Sequence, residues 1–172
     1  MSTILAGLPP DASSIVLIGW AAVCGAQDIG RLRVSNVLTL GMLALALLVL
    51  LGSGHSMLGV SIGQAVLAFL LAMLLTLPGY ALGKLGAADA KMLMALGLAS
   101  TVMVVLEVFV VAGLVAAGLM LLTRYLDRYP WFVRATSSGL LLRLAPREGK
   151  SFPFAACMAL GVITSLGSRL LF

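Results

Sequence analysis

The chain has 172 residues, of which 62% are hydrophobic and 10% charged, and its mean hydropathy is +1.16. A soluble domain is nearer half apolar with about a quarter of its residues charged, so a single buried core is excluded as a home for this much apolar surface. The net charge of +5 would raise nucleic acid as a partner in a soluble protein, but the basic residues gather in short stretches between apolar runs, which is the pattern of membrane anchoring.

The first residues carry no basic segment ahead of their first apolar run, so the first span is expected to be a retained helix rather than a cleaved signal peptide. Apolar runs follow at residues 12–27, 34–51, 60–83, 90–123 and 152–172. They are apolar on all sides rather than alternating. Helices, which satisfy their own backbone groups in lipid, are therefore expected, and strands are not. Four of the runs suit one span each. The run at 90–123 is too long for a single crossing of a core about 30 Å thick. It is expected to fold back near residues 97–103 into a short span and a full one. Pro78 is expected to kink the third span near its end. The fold class that follows is all-α: a polytopic membrane helical bundle of about six transmembrane helices, forming one integral-membrane domain over residues 1–172.

Charge gives the orientation. Arg31 and Arg33 lie between spans 1 and 2, and Lys84 and Lys91 flank the start of span 4. Arg124, Arg128, Arg134, Arg143, Arg147 and Lys150 lie between spans 5 and 6. With six spans all three basic segments fall on one side, which the positive-inside rule makes cytoplasmic, with both termini outside. Arg169 is the one dissenter. The basic segment at about 124–151 is the longest polar stretch and also holds Tyr125, Tyr129, Trp131 and Phe132. These read as interfacial aromatics, with a surface helix and a substrate-binding role as further readings.

Cys24 and Cys157 lie far apart with no CxxC pattern, so they read as buried packing residues. His55 is the single histidine. No HExxH motif exists for zinc, and a Ser-His dyad would need His55 beside Ser53 or Ser61 without a recognisable motif. GxxxG occurs at Gly59–Gly63 and Gly79–Gly83, a modest hint of helix contact in a chain with 19 glycines.

Six acids remain to be placed. Asp11 precedes span 1, and Asp127 and Glu148 lie in the basic segment. Glu107, about one turn into span 5 from the outer side, reads as a packing or interfacial residue. Asp28 ends span 1 and Asp89 begins span 4, on one side and at similar depth. A carboxylate near the hydrocarbon is costly and rarely idle. Two carboxyls in reach of each other share a proton, the neutral one polarising a peptide carbonyl while the anion takes a proton from water. Such chemistry needs no metal or cofactor. Helix dipoles would make Asp89, at a helix start, the base, and Asp28, at a helix end, the acid. The competing reading pairs each aspartate with a nearby base, Asp28 with Arg31 and Asp89 with Lys91.

At these residues the chain resembles bacterial type IV prepilin peptidases, GxGD-type aspartyl peptidases, in the short form found with Tad (Flp-type) pili. The family's D-x-x-x-x-x-I-P-N stretch corresponds to Asp28 through Val34-Ser35-Asn36. Its G-x-G-D-x-K corresponds to Gly86-Ala87-Ala88-Asp89-Ala90-Lys91, and a weaker likeness lies at Pro153-Phe154-Ala155. Ser35 replaces the usual proline and Ala88 the second glycine. The resemblance implies Asp28 and Asp89 as catalytic residues, with Asn36, Gly86 and Lys91 in support. It implies cleavage of a basic leader from pilin precursors, after a glycine, at the cytoplasmic face of the inner membrane, with the pilus-assembly machinery as a further partner. The cysteine-bearing zinc insert of longer members is absent from the sequence, so the methylation associated with it is not expected. A small transporter or proton-conducting subunit, and a catalytically inactive pilus-assembly paralogue, stand as alternatives.

Overall fold

The computed structural model describes residues 10–31, 33–83, 85–127 and 153–171. They form α1 (Pro10–Arg31), α2 (Asn36–Ser53), α3 (Ile62–Ala81), α4 (Ala87–Ala99), α5 (Val102–Asp127) and α6 (Phe154–Leu171). Among the described residues there is no strand, only an isolated bridge between His55 and Ser61. Five helices are long and apolar enough to cross a membrane. The exception is α4. Its 13 residues rise about 20 Å, short of a core about 30 Å thick. The long fourth run thus breaks as expected, at Ser100 and Thr101. The Ser100 hydroxyl turns back to the Leu96 carbonyl, and the Ala99 carbonyl accepts from the Leu58 N–H of the preceding loop.

The helices form two groups. In one, α4 packs against α2 and α3; in the other, α6 packs against α1 and α5. The groups meet where α5 touches α3 and α4, and α6 touches α4. Small residues make these seams. On α3, Ala65, Ala68, Ala72 and Thr76 are buried at helical spacing. Across them, a Cβ on Gly97 of α4 would lie 2.7 Å from the Ala68 carbonyl oxygen. A Cβ on Gly161 of α6 would lie 2.8 Å from the Val108 carbonyl oxygen of α5. Backbones this close gain dispersion contact, the main attraction left between helices in lipid. The GxxxG pairs do not serve this purpose. Gly59, Gly63 and Gly83 would place a Cβ in open space, and Gly79 meets only the Leu85 side chain just beyond its own helix. Outward faces keep large exposed apolar side chains, such as Leu48, Leu74, Leu114 and Leu121, as lipid contact requires.

The chain alternates direction, so one rim of the bundle collects the end of α1, the start of α2, the end of α3, the starts of α4 and α6 and the end of α5. Arg31, Arg33, Lys91 and Arg124 all belong to that rim. At the opposite rim Arg169 donates to Glu107 at 3.2 Å, and the Ser165 hydroxyl donates to the same carboxylate. This accounts for the charge that dissented from the orientation rule: Arg169 has an acidic partner one helix away. Pro78 lies inside the last turn of α3. The readings placed on residues 128–150, including the surface helix and its aromatic and basic residues, lie outside the described residues, as does Lys84.

Candidate active site

Asp28 stands in the last turn of α1 and Asp89 in the first turn of α4. Both are buried, with residue exposures of 6% and 7%. They come from different helix groups, and α1 packs along α6, not along α4. What brings them together is the opening turn of α6. The Ala156 N–H donates to Asp28 Oδ2 at 3.1 Å. The Ala155 amide lies near both carboxylates, and the two are near enough for their charges to interact.

Each aspartate is set by its neighbours in sequence. Asp89 is the third residue of α4, and its Oδ2 accepts from the N–H of Gly86, the residue that caps the helix, at 3.1 Å. This is the returning half of a capping box. A Cβ on Gly86 would sit 3.0 Å from that same oxygen. Glycine here keeps the space beside the carboxylate clear, and its φ of −72° shows that close approach, not a left-handed backbone, is the reason. Asp28 depends on Gly25, one turn earlier. A Cβ on Gly25 would lie 2.8 Å from the Ala159 Cβ and 3.4 Å from the Ala156 Cα. Its absence lets the α6 backbone come close enough for the Ala156 amide to reach Asp28.

The pairing of each aspartate with a neighbouring base is not what the structure holds. Among the described residues the ion pair is Arg169–Glu107 at the far rim. Lys91 turns away from Asp89 and donates through Nζ to Asn36 Oδ1 at 3.1 Å, joining the starts of α2 and α4. Asn36 therefore holds a lysine through its side-chain oxygen. The assignment of base and acid from helix ends meets a further helix end in the structure. It counted one dipole for each aspartate, whereas Asp28 also meets the start of α6. Each carboxylate thus has an amide donor at a helix N-terminus, and the difference between them that helix ends impose is smaller than one dipole each would give.

Sequence reasoning missed Gly25 and Ala156 as parts of this site, and it named Ala155 only within the likeness at Pro153-Phe154-Ala155. The signal was the facing run of small residues, Ala21, Cys24 and Gly25 on α1 and Ala155, Ala156 and Ala159 on α6, which a search for GxxxG passes over. His55 has no catalytic partner in view. Its Nδ1 lies 3.1 Å from the Ser53 backbone carbonyl, and the Ser53 hydroxyl donates to the Val49 and His55 carbonyls. No cluster of three or more metal-ligating side chains occurs among the described residues.

A helical membrane bundle with two buried carboxylates meeting at one rim defines the class, and comparison with known proteins supplies the family. The sequence model of the type IV leader peptidase family matches residues 15–121. That is more than half of the chain and includes both Asp28 and Asp89, and the protein belongs to this family. No curated protein and no solved structure matches it.

Proposed function

We propose that this protein is an aspartyl endopeptidase that removes the basic leader from type IV or Flp-type pilin precursors at the cytoplasmic face of the bacterial inner membrane. The observation that carries the proposal is the proximity of Asp28 and Asp89, both buried and both within the matched residues, each holding a backbone amide at the start of a helix. One carboxyl keeps the shared proton and donates a hydrogen bond to the scissile carbonyl; the other takes a proton from water as its oxygen attacks the carbonyl carbon. Collapse of the tetrahedral intermediate breaks the C–N bond, and the leaving amine takes up a proton from the pair. The two act as a unit, and neither proton belongs to one residue alone.

The placement at the rim suits a substrate whose apolar helix lies in the bilayer with its scissile bond just beyond it. Arg31, Arg33, Lys91 and Arg124 share that rim, which supports a cytoplasmic site through the positive-inside rule. Gly86, Asn36 and Lys91 act in support: the first clears space beside Asp89, and the other two tie α2 to the helix that carries it.

The test is cleavage of a synthetic precursor by the purified, reconstituted protein. Asp28→Asn and Asp89→Asn should each lower the rate by about 10²–10⁴-fold or more, the range of a lost general acid or base, with folding intact. Cleavage unaffected by either change would favour the transport reading. A wild-type protein that cuts no precursor, pilins from its own cell included, would favour the inactive paralogue.

A further inference from the structure

The family match ends at residue 121, yet the element that joins the two aspartates begins at Phe154. We propose that the opening turn of α6 is the positioning element of the aspartate pair, acting through the backbone N–H groups of Ala155 and Ala156. The inference rests on Asp28 and Asp89 being the reactive pair.

The geometry carries it in three steps. First, α1 and α4 belong to different groups and do not pack along one another, so their own contact cannot set the separation of the carboxylates. Second, α6 touches both, lying along α1 and against α4, with the Ala156 N–H on Asp28 and the Ala155 amide near both carboxylates. Third, α6 is fixed where it does this. Gly25 admits its backbone beside Asp28, Gly161 seats it on α5, and Arg169 and Ser165 tie its far end to Glu107.

N–H groups in the first turn of a helix have no partner within that helix, so these amides are free to serve the carboxylates. A donor on a carboxylate favours its charged form. The amides thus supply donors to the negative charge that the pair carries, and they fix where its oxygens sit. The other titratable groups facing Asp28 are Asp89 from α4, Cys157 from α6 and Cys24 on its own helix. Lys91 is engaged by Asn36, and Glu107 on α5 lies at the opposite rim.

The test uses the full chain in lipid nanodiscs. Ala156→Pro removes the donor without breaking a helical hydrogen bond, because the N–H groups of the first turn have no acceptor within the helix. Ala156→Gly keeps the N–H. In precursor cleavage, the acidic limb of the pH–rate profile should move up by about one pH unit in Ala156→Pro, the size expected for losing a hydrogen bond to a charged group. It should stay at the wild-type position in Ala156→Gly. An unmoved acidic limb in Ala156→Pro, or equal movement in both variants, overturns the inference.

A second measurement needs neither cleavage nor the proline variant. In the ¹⁵N-labelled wild type, the Ala155 and Ala156 amide signals should shift with pH. Asp28→Asn should abolish the Ala156 transition, and either Asp→Asn change should alter that of Ala155. Amides that do not titrate, or that titrate alike in Asp28→Asn, overturn the inference even if cleavage is normal. Absent cleavage with the expected amide titration would instead count against the peptidase reading alone.

Discussion

Ser35 occupies the position where the family's stretch has proline, and its surroundings show how the chain accommodates the change. Its φ of −67° and ψ of 140° are values that proline also adopts. Serine keeps that backbone and adds two bonds. Its hydroxyl accepts from the Leu38 N–H at 3.4 Å, capping α2. Its N–H donates to Gln27 Oε1 at 3.2 Å, tying the start of α2 to the residue before Asp28. Ser35→Ala should cost about 1 kcal/mol through the lost cap. Ser35→Pro also loses the N–H bond, but its stiffer unfolded chain offsets part of that, and it should melt within a few degrees of Ser35→Ala in detergent. Ala88, the other departure, lies in the first turn of α4. Helical backbone has negative φ, so alanine fits without strain, and glycine there would cost about 1 kcal/mol in helix propensity. Neither departure disturbs the local geometry on which the aspartates depend.

At the level of helices, the bundle is held by close approach at single glycines rather than by paired ones. Gly97 is the clearest case, because any side chain there meets the Ala68 carbonyl and the Phe69 Cα, both backbone and unable to step aside. Gly97→Ala should force α3 and α4 apart and destabilise the protein by about 1–3 kcal/mol, the usual cost of overpacking. Since α4 carries Asp89, cleavage should fall with it. Gly63→Ala, where the added methyl enters open space, should leave melting temperature and activity near wild type. Comparing the two variants by thermal melting in detergent checks this. Equal effects would mean that the seam between α3 and α4 is looser than its backbone distances imply. The short length of α4 belongs to this scale too. A helix that does not cross the bilayer can start at one rim and end among its neighbours, and Asp89 stands in the turn at its rim end.

For the whole molecule, the orientation in the membrane is a matter of summed charge. With the basic rim inside, a cysteine in place of Arg33 should react with a membrane-impermeant thiol reagent only in inside-out vesicles, and a cysteine in place of His55 only in intact cells freed of outer membrane. The reverse pattern would place the aspartate pair outside and end the cytoplasmic reading. Cys24 and Cys157 are buried and should give little background. The division between what could be read in advance and what could not follows the range of the forces. Lipid solvation acts on each run of residues separately, so the helices, the break after Ala99 and the rim to which each described charge belongs were legible from the order of residues alone. So was the motif around Asp89, whose cap is completed within four residues. The partner of Arg169, the turn of Lys91 to Asn36 and the amides between the two aspartates were not. Each is a contact between segments far apart in the chain, decided by which small side chains let which backbones approach, and no local pattern encodes that choice.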